Sequence, residues 1–216
     1  PRTGKKLLAT GNGRCNLANI NINKSFYHGS LTNIAFDVMG RFGFYESFFR
    51  SIGLLCRHDN EGRVYPLSNS AASVLDALRL ELHRLGITEL CSCKIDNISK
   101  IGDEFILQSS DTTIKSKRVI VSTGGCSAPD LGSDGSMFPI LKRLGHTLIP
   151  AMPSLAPIKT EPALVKPLKG VRVYAKASAV LNGKILKSEC GEVQFSDSSL
   201  SGICIFNLSR LAAAYK

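Results

Sequence analysis

"RVIVSTGG", residues 118–125, is the stretch on which the fold turns. Three apolar residues, Val119 to Val121, run through Ser122 into Thr123-Gly124-Gly125. Open α/β sheets meet their ligands in this way, at glycine-bearing loops beyond the carboxyl ends of strands. Two apolar segments lie upstream, "ITELCSCKIDNISKI" (residues 87–101) and "EFILQSS" (residues 104–110). With "TTIKSKRVIVSTGG" (residues 112–125) they read as three strands joined by tight polar turns. Before them, "SNSAASVLDALRLELHRLG" (residues 68–86) keeps Ala71, Val74, Leu75, Leu78, Leu82 and Leu85 at helical spacing, on one buried face. Ser68 or Ser70 suits its start and Gly86 its left-handed stop.

Further out, residues 31–51 read as one or two short Phe-rich amphipathic helices, and residues 54–66 as a hairpin about Asn60-Glu61-Gly62. Residues 134–145 suit a helix with Pro139 in its first turn. From residue 150 the character changes, because Pro150, Pro153, Pro157, Pro162 and Pro167 punctuate a connector. "VRVYAKASAVL" (residues 171–181) then alternates as a half-buried antiparallel strand should, and Asn182-Gly183 is a hairpin turn. "GKILKSE" returns, "EVQFS" adds a third strand, and residues 201–215 form a helix.

Composition sets the outer bounds. A chain of 216 residues with 44% hydrophobic and 20% charged residues can bury a real core. No apolar run approaches the roughly 18 residues that span a bilayer. Seven widely spaced cysteines without a leader read as reduced thiols of a cytoplasmic protein. The net charge of +10 is scattered, apart from an acid-free stretch before Asp37. That pattern favours a basic soluble protein or a phosphate-bearing small ligand over nucleic acid.

One local pattern has chemistry in it. In "KKLLATGNGRCNLANI" (residues 5–20), Gly11-Asn12-Gly13-Arg14 offers backbone N–H groups and a guanidinium to an anion. It matches neither dinucleotide nor P-loop spacing, so a simple polar turn stands beside that reading. Cys91-x-Cys93 near His83 lacks the paired spacing of structural zinc. His28, His58, His83 and His146 are isolated; Arg63 and Tyr65 are either functional polar groups or, the favoured account, strand residues on a solvated face.

Four stretches in order, "GKKLLATGNGRCNLAN", "GRVYPLSNSAASVLDAL", "VIVSTGGCSAPDLGSDG" with "LKRLGH", and "GEVQFSDSSLSG", resemble the HI0933-like (BaiN/YhiN-type) NAD(P)/FAD-dependent flavoproteins. The resemblance implies an α/β, Rossmann-like FAD/NAD(P)-binding domain that is incomplete, followed by the start of a β-rich insert. The implied division is residues 1–150 for the FAD-binding domain, its first βαβ unit missing, and 151–216 for a truncated substrate domain. On that reading the chain is a fragment, inactive by itself, that holds FAD weakly or not at all. Lys5, Lys6, Thr10, Gly11, Asn12, Gly13, Arg14 and Asn16 would run along the FAD, Ile95 would approach the adenine, and Thr123, Gly124 and Gly125 would close over the adenosine–phosphate side. Cys126 stands where many relatives carry lysine. The implied activity is electron transfer between NAD(P)H, or an oxidisable substrate, and a small organic molecule. The alternative is a non-catalytic piece or a basic nucleic-acid module without flavin. The residues name no catalytic acid or base, no substrate and no oligomeric state.

Overall fold

The computed structural model describes residues 3–27, 29, 31–42 and 45–215. His28 and the joint at residues 43 and 44 lie outside the described residues. The chain divides into two compact units: residues 1–124 with 128–140, and residues 125–127 with 141–216.

The first unit opens with α1 (Lys5–Ala9), a left-handed turn at residues 10–13 and β1 (Ala18–Asn19). The Phe-rich segment forms α2 (Thr32–Phe42) and α3 (Tyr45–Ser51), in line with its amphipathic pattern. The hairpin follows as β2 (Cys56–His58) and β3 (Arg63–Pro66). Asp59 holds its turn: one carboxylate oxygen accepts from the backbone N–H groups of Glu61 and Arg63, both at 3.0 Å, and the other from Arg63 Nε at 2.8 Å. β3 is the central strand of a three-stranded antiparallel sheet, flanked by β1 and β2.

Helix α4 (Ala71–Arg84) is capped by Ser70, whose hydroxyl accepts from Ala72 N–H at 3.3 Å. A cap of this kind is worth about 1 kcal/mol. Gly86 stops the helix at φ 65°. Ala71, Val74 and Leu75 are buried, and Val74 is wholly enclosed in a cluster with Cys15 and Leu54. Burying such a side chain contributes roughly 1.5–3 kcal/mol. Leu85 falls outside this face and is exposed.

The next sheet departs from expectation. β4 (Asn97–Ile101), β5 (Glu104–Gln108) and β6 (Thr113–Ser116) make an antiparallel meander. Residues 87–96 are not strand: Ser92 has φ 58°, which turns the chain out of an extended course. Residues 118–125, expected to be a strand running into a ligand-binding glycine loop, pair with no other strand among the described residues, and Ile120 is 91% exposed. A strand is defined by its ladder of hydrogen bonds, and every named ladder among the described residues is antiparallel. Apolar content alone could not supply residues 118–125 with a partner. α5 (Phe138–Arg143) follows, with Pro139 in its first turn.

In the second unit, β7 (Ile158–Lys159) and α6 (Pro162–Val165) lie within the proline-rich connector. β8 (Arg172–Leu181) turns through Asn182 and Gly183, at φ 50° and 77°, into β9 (Lys184–Phe195). The expected break between "GKILKSE" and "EVQFS" is absent. At Gly191, β9 passes beneath Cys204 of the closing helix. β10 (Ser199–Ser201) completes a sheet in the order β7-β10-β9-β8. α7 (Ile203–Ala214) packs Cys204 and Ile205 onto Val193.

Candidate functional site

The glycine-rich loop is built by backbone conformation. Gly11, Asn12 and Gly13 have φ 56°, 56° and 80°, so three successive residues are left-handed. The turn closes through Arg14 N–H to Gly11 O (3.2 Å) and Cys15 N–H to Thr10 O (3.0 Å). Thr10 Oγ1 donates to Leu7 O at 2.6 Å, tying the loop to α1. Gly11 has no room for a side chain: a Cβ would meet Asn16 N at 2.8 Å.

Arg14 is held from three sides. Its Nε donates to Gly11 O (3.3 Å), its Nη2 to the Tyr65 hydroxyl (3.5 Å), and its guanidinium carbon lies 4.6 Å from the Tyr65 ring centroid. Tyr65 is 4% exposed, so the expectation of a solvated strand residue is overturned. The β1–β3 pairing brings Tyr65 under a loop 51 residues away, which no local pattern announces. With its amide assigned so that nitrogen faces the two carbonyls, Asn16 donates to Val64 O (3.3 Å) and Ala18 O (3.0 Å), binding the loop to β3 and β1. Arg63 instead pairs with Asp59 and Glu61.

A second cluster forms around α1. Lys6 Nζ donates to Ser133 Oγ at 2.7 Å, and Ser133 is 3% exposed. Gly124, at φ 79°, passes against this pair: a Cβ there would lie 2.6 Å from Ser133 Oγ and 3.8 Å from Lys6 Nζ. Lys5, Lys6, Thr123, Gly124 and Ser133 line one cavity of about 270 Å³. Beside Ser133, the Asp134 carboxyl is held below the usual aspartate range, first by its hydrogen bonds from Ser136. Lys5 also lines a cavity of about 630 Å³ with Lys94 and residues 129–132. Ile95 is half-buried just ahead of β4, and Gly125 belongs to the second unit. Ser133 was not singled out by the sequence, because its role depends on a partner 127 residues away.

The donor set suits a phosphate-bearing cofactor. A left-handed glycine turn and three cations, Lys5, Lys6 and Arg14, stand on the same short segment. Among the described residues no three His, Cys, Asp or Glu side chains group as a metal ion would require. No described helix is long and apolar enough to cross a membrane.

A family model described as the HI0933-like protein Rossmann domain matches residues 1–208. The chain belongs to this family. The match corrects the expectation of an incomplete domain: it covers residues 1–208, nearly the whole chain. The reading of the chain as a fragment of that domain is corrected on the same ground. What the family supports is an α/β Rossmann-like domain with a β-rich region.

The chain is 37% identical over 209 residues to a 3-dehydro-bile acid delta(4,6)-reductase of Clostridium scindens, covering 96% of this chain and 51% of that protein. It is 22% identical over 212 residues to a ribosomal RNA dihydrouridine synthase of Escherichia coli, covering 96% and 52%. A protein of the same description from Haemophilus influenzae is 23% identical over 216 residues, covering 96% and 53%. The chain thus spans about half the length of these relatives. Membership of the family is consistent with a flavoprotein oxidoreductase.

Proposed function

We propose that this protein is an FAD-dependent reductase that adds two hydrogens across a carbon–carbon double bond of a small organic molecule, with NAD(P)H as electron source. The carrying observation is the left-handed Gly11-Asn12-Gly13 turn with Arg14 stacked on Tyr65, within a chain of this family. The names of its relatives support the reaction class, since both a delta-reductase and a dihydrouridine synthase reduce such a bond. When bound, the flavin supplies the two-electron transfer. Arg14 and the turn would hold the cofactor beside its phosphates, and Lys5, Lys6, Thr10, Asn16, Ile95, Thr123, Gly124 and Gly125 would line its course. Residues 1–150 would form the cofactor domain and 151–216 the region that shapes the substrate pocket. All seven cysteines are unpaired, which supports a cytoplasmic setting.

The test is direct. Protein purified without added flavin should show visible flavin absorbance, and mass spectrometry should identify FAD. Arg14→Ala should weaken FAD binding by roughly tenfold, the loss of a charged hydrogen-bonding group. NAD(P)H should be consumed only with an acceptor carrying a conjugated double bond. A protein that binds no flavin, or an Arg14→Ala protein that binds it equally well, would sink the proposal.

A second reading takes RNA as the acceptor, favoured by the net charge of +10 and the two relatives at 22–23% identity. Dihydrouridine formed in ribosomal RNA, with steeply salt-dependent binding, would select it over a small molecule.

A further inference from the structure

Between α7 and the sheet of the second unit lies a cavity of about 490 Å³ that none of the cofactor-loop residues lines. Its walls belong wholly to that unit, chiefly Ala177 and Ala179 of β8, Leu186 of β9, and Leu208, Leu211 and Tyr215 of α7 or its end. The helix is held at two points. Its first turn lies directly on the sheet, where Cys204 is 1% exposed and its thiol donates to Glu192 O at 3.3 Å. Further along, Ser209 Oγ accepts from Ala156 N–H at 3.3 Å. Beyond these points both walls carry alanine, Ala177 and Ala179 on the strand and Ala212 on the helix, and the space between them stays unfilled. Close-packed interiors leave few voids larger than a water molecule, whereas small-molecule sites occupy roughly 300–1,000 Å³.

The lining chooses the occupant. No described Asp, Glu, Lys, Arg or His side chain lines the cavity, so a charged group inside would be buried without a partner. Water gains little there, because the walls are mostly aliphatic and the Ser178 hydroxyl is already paired with Ser188 at 2.7 Å. Tyr215, 58% exposed, carries the other hydroxyl of the lining and stands at its rim. A single turn of α-helix, about 10 Å across and 5.4 Å tall, would fill most of the volume, which leaves no room for a seated segment of chain. We propose that this cavity binds an uncharged, largely hydrocarbon small molecule. The site needs no flavin and stands whether or not the flavin reading does.

The probe is N-phenyl-1-naphthylamine, an uncharged fluorophore, which should bind saturably at one per chain. 8-Anilinonaphthalene-1-sulfonate has the same rings with a charge added and should bind at least roughly tenfold more weakly. Ala179→Leu and Ala212→Leu fill the space from opposite walls. Each should weaken probe binding roughly tenfold while the melting temperature holds or rises. Tyr174→Ser, on the exposed face of β8, should leave binding unchanged. In the parent protein, nuclear Overhauser contacts should join the probe to the methyls of Leu186, Leu208 and Leu211. Absence of saturable binding would overturn the proposal, as would equal affinity for the sulfonate or parental affinity in a folded cavity-filling variant. Loss of binding in Tyr174→Ser, or Overhauser contacts that fall on first-unit methyls instead, would overturn it too.

Discussion

At the residue scale, the loop before Arg14 is specified by what its backbone tolerates. Gly11 sits at φ 56° with no space for a Cβ, so Gly11→Ala meets both left-handed strain and Asn16 N. It should destabilise the first unit by about 1–3 kcal/mol, read as a lower urea midpoint. An unchanged midpoint would mean the loop has another conformation in solution. Tyr65 separates packing from polar contact. Tyr65→Phe keeps the ring under Arg14 and loses only a 3.5 Å hydroxyl contact, so its cost should stay below about 1 kcal/mol. Tyr65→Ala empties a buried site and should cost roughly 3–5 kcal/mol. Equal costs for the two would show that the hydroxyl, not the ring, carries the role. The glycines and Arg14 announced a polar turn, with anion binding as the rarer reading, and the structure has the turn. The burial of Tyr65 was not legible, because it is decided by strand pairing.

At the element scale, the β2–β3 hairpin carries a charge-dependent clasp. The Arg63 side chain, donating to Asp59, holds that carboxyl below its ordinary value. Its contribution is therefore complete above the unfolded aspartate value of about 4, and it is lost as pH falls through the lower folded value. Asp59→Asn keeps the oxygen that caps the Glu61 and Arg63 N–H groups but removes the charge. The melting-temperature gap between parent and Asp59→Asn should be constant near neutrality and narrow as pH drops below about 4. A gap that persists at acid pH would place the effect in packing. Helix α4 shows how much an element can declare in advance. Its cap, stop and buried face were all read from spacing, since helix periodicity and caps are local. Residues 118–125 show the opposite case, where an apolar run carries no information about whether a neighbouring strand exists.

At the scale of the whole molecule, the two compact units should report separately on stability. Gly202 stands at φ 108°, and a Cβ there would collide with the Glu192 carbonyl of the same unit. Gly202→Ala should lower one calorimetric transition by roughly 3 kcal/mol or more, within the range of backbone strain plus overpacking, and leave the other in place. A single transition that moves as a whole would show that the units unfold together. Local structure was legible in the sequence alone: α4 with its cap and stop, the Asn182-Gly183 turn and the alternating strand after residue 171. Each depends on residues within a few positions of one another, where dihedral preference and side-chain period act directly. The long-range pairings came only with the tertiary structure: Arg14 on Tyr65, Lys6 on Ser133, an unbroken β9 beneath Cys204, and the unpaired course of residues 118–125. Those depend on which distant segments exclude water from one another, a competition that no single stretch of sequence encodes.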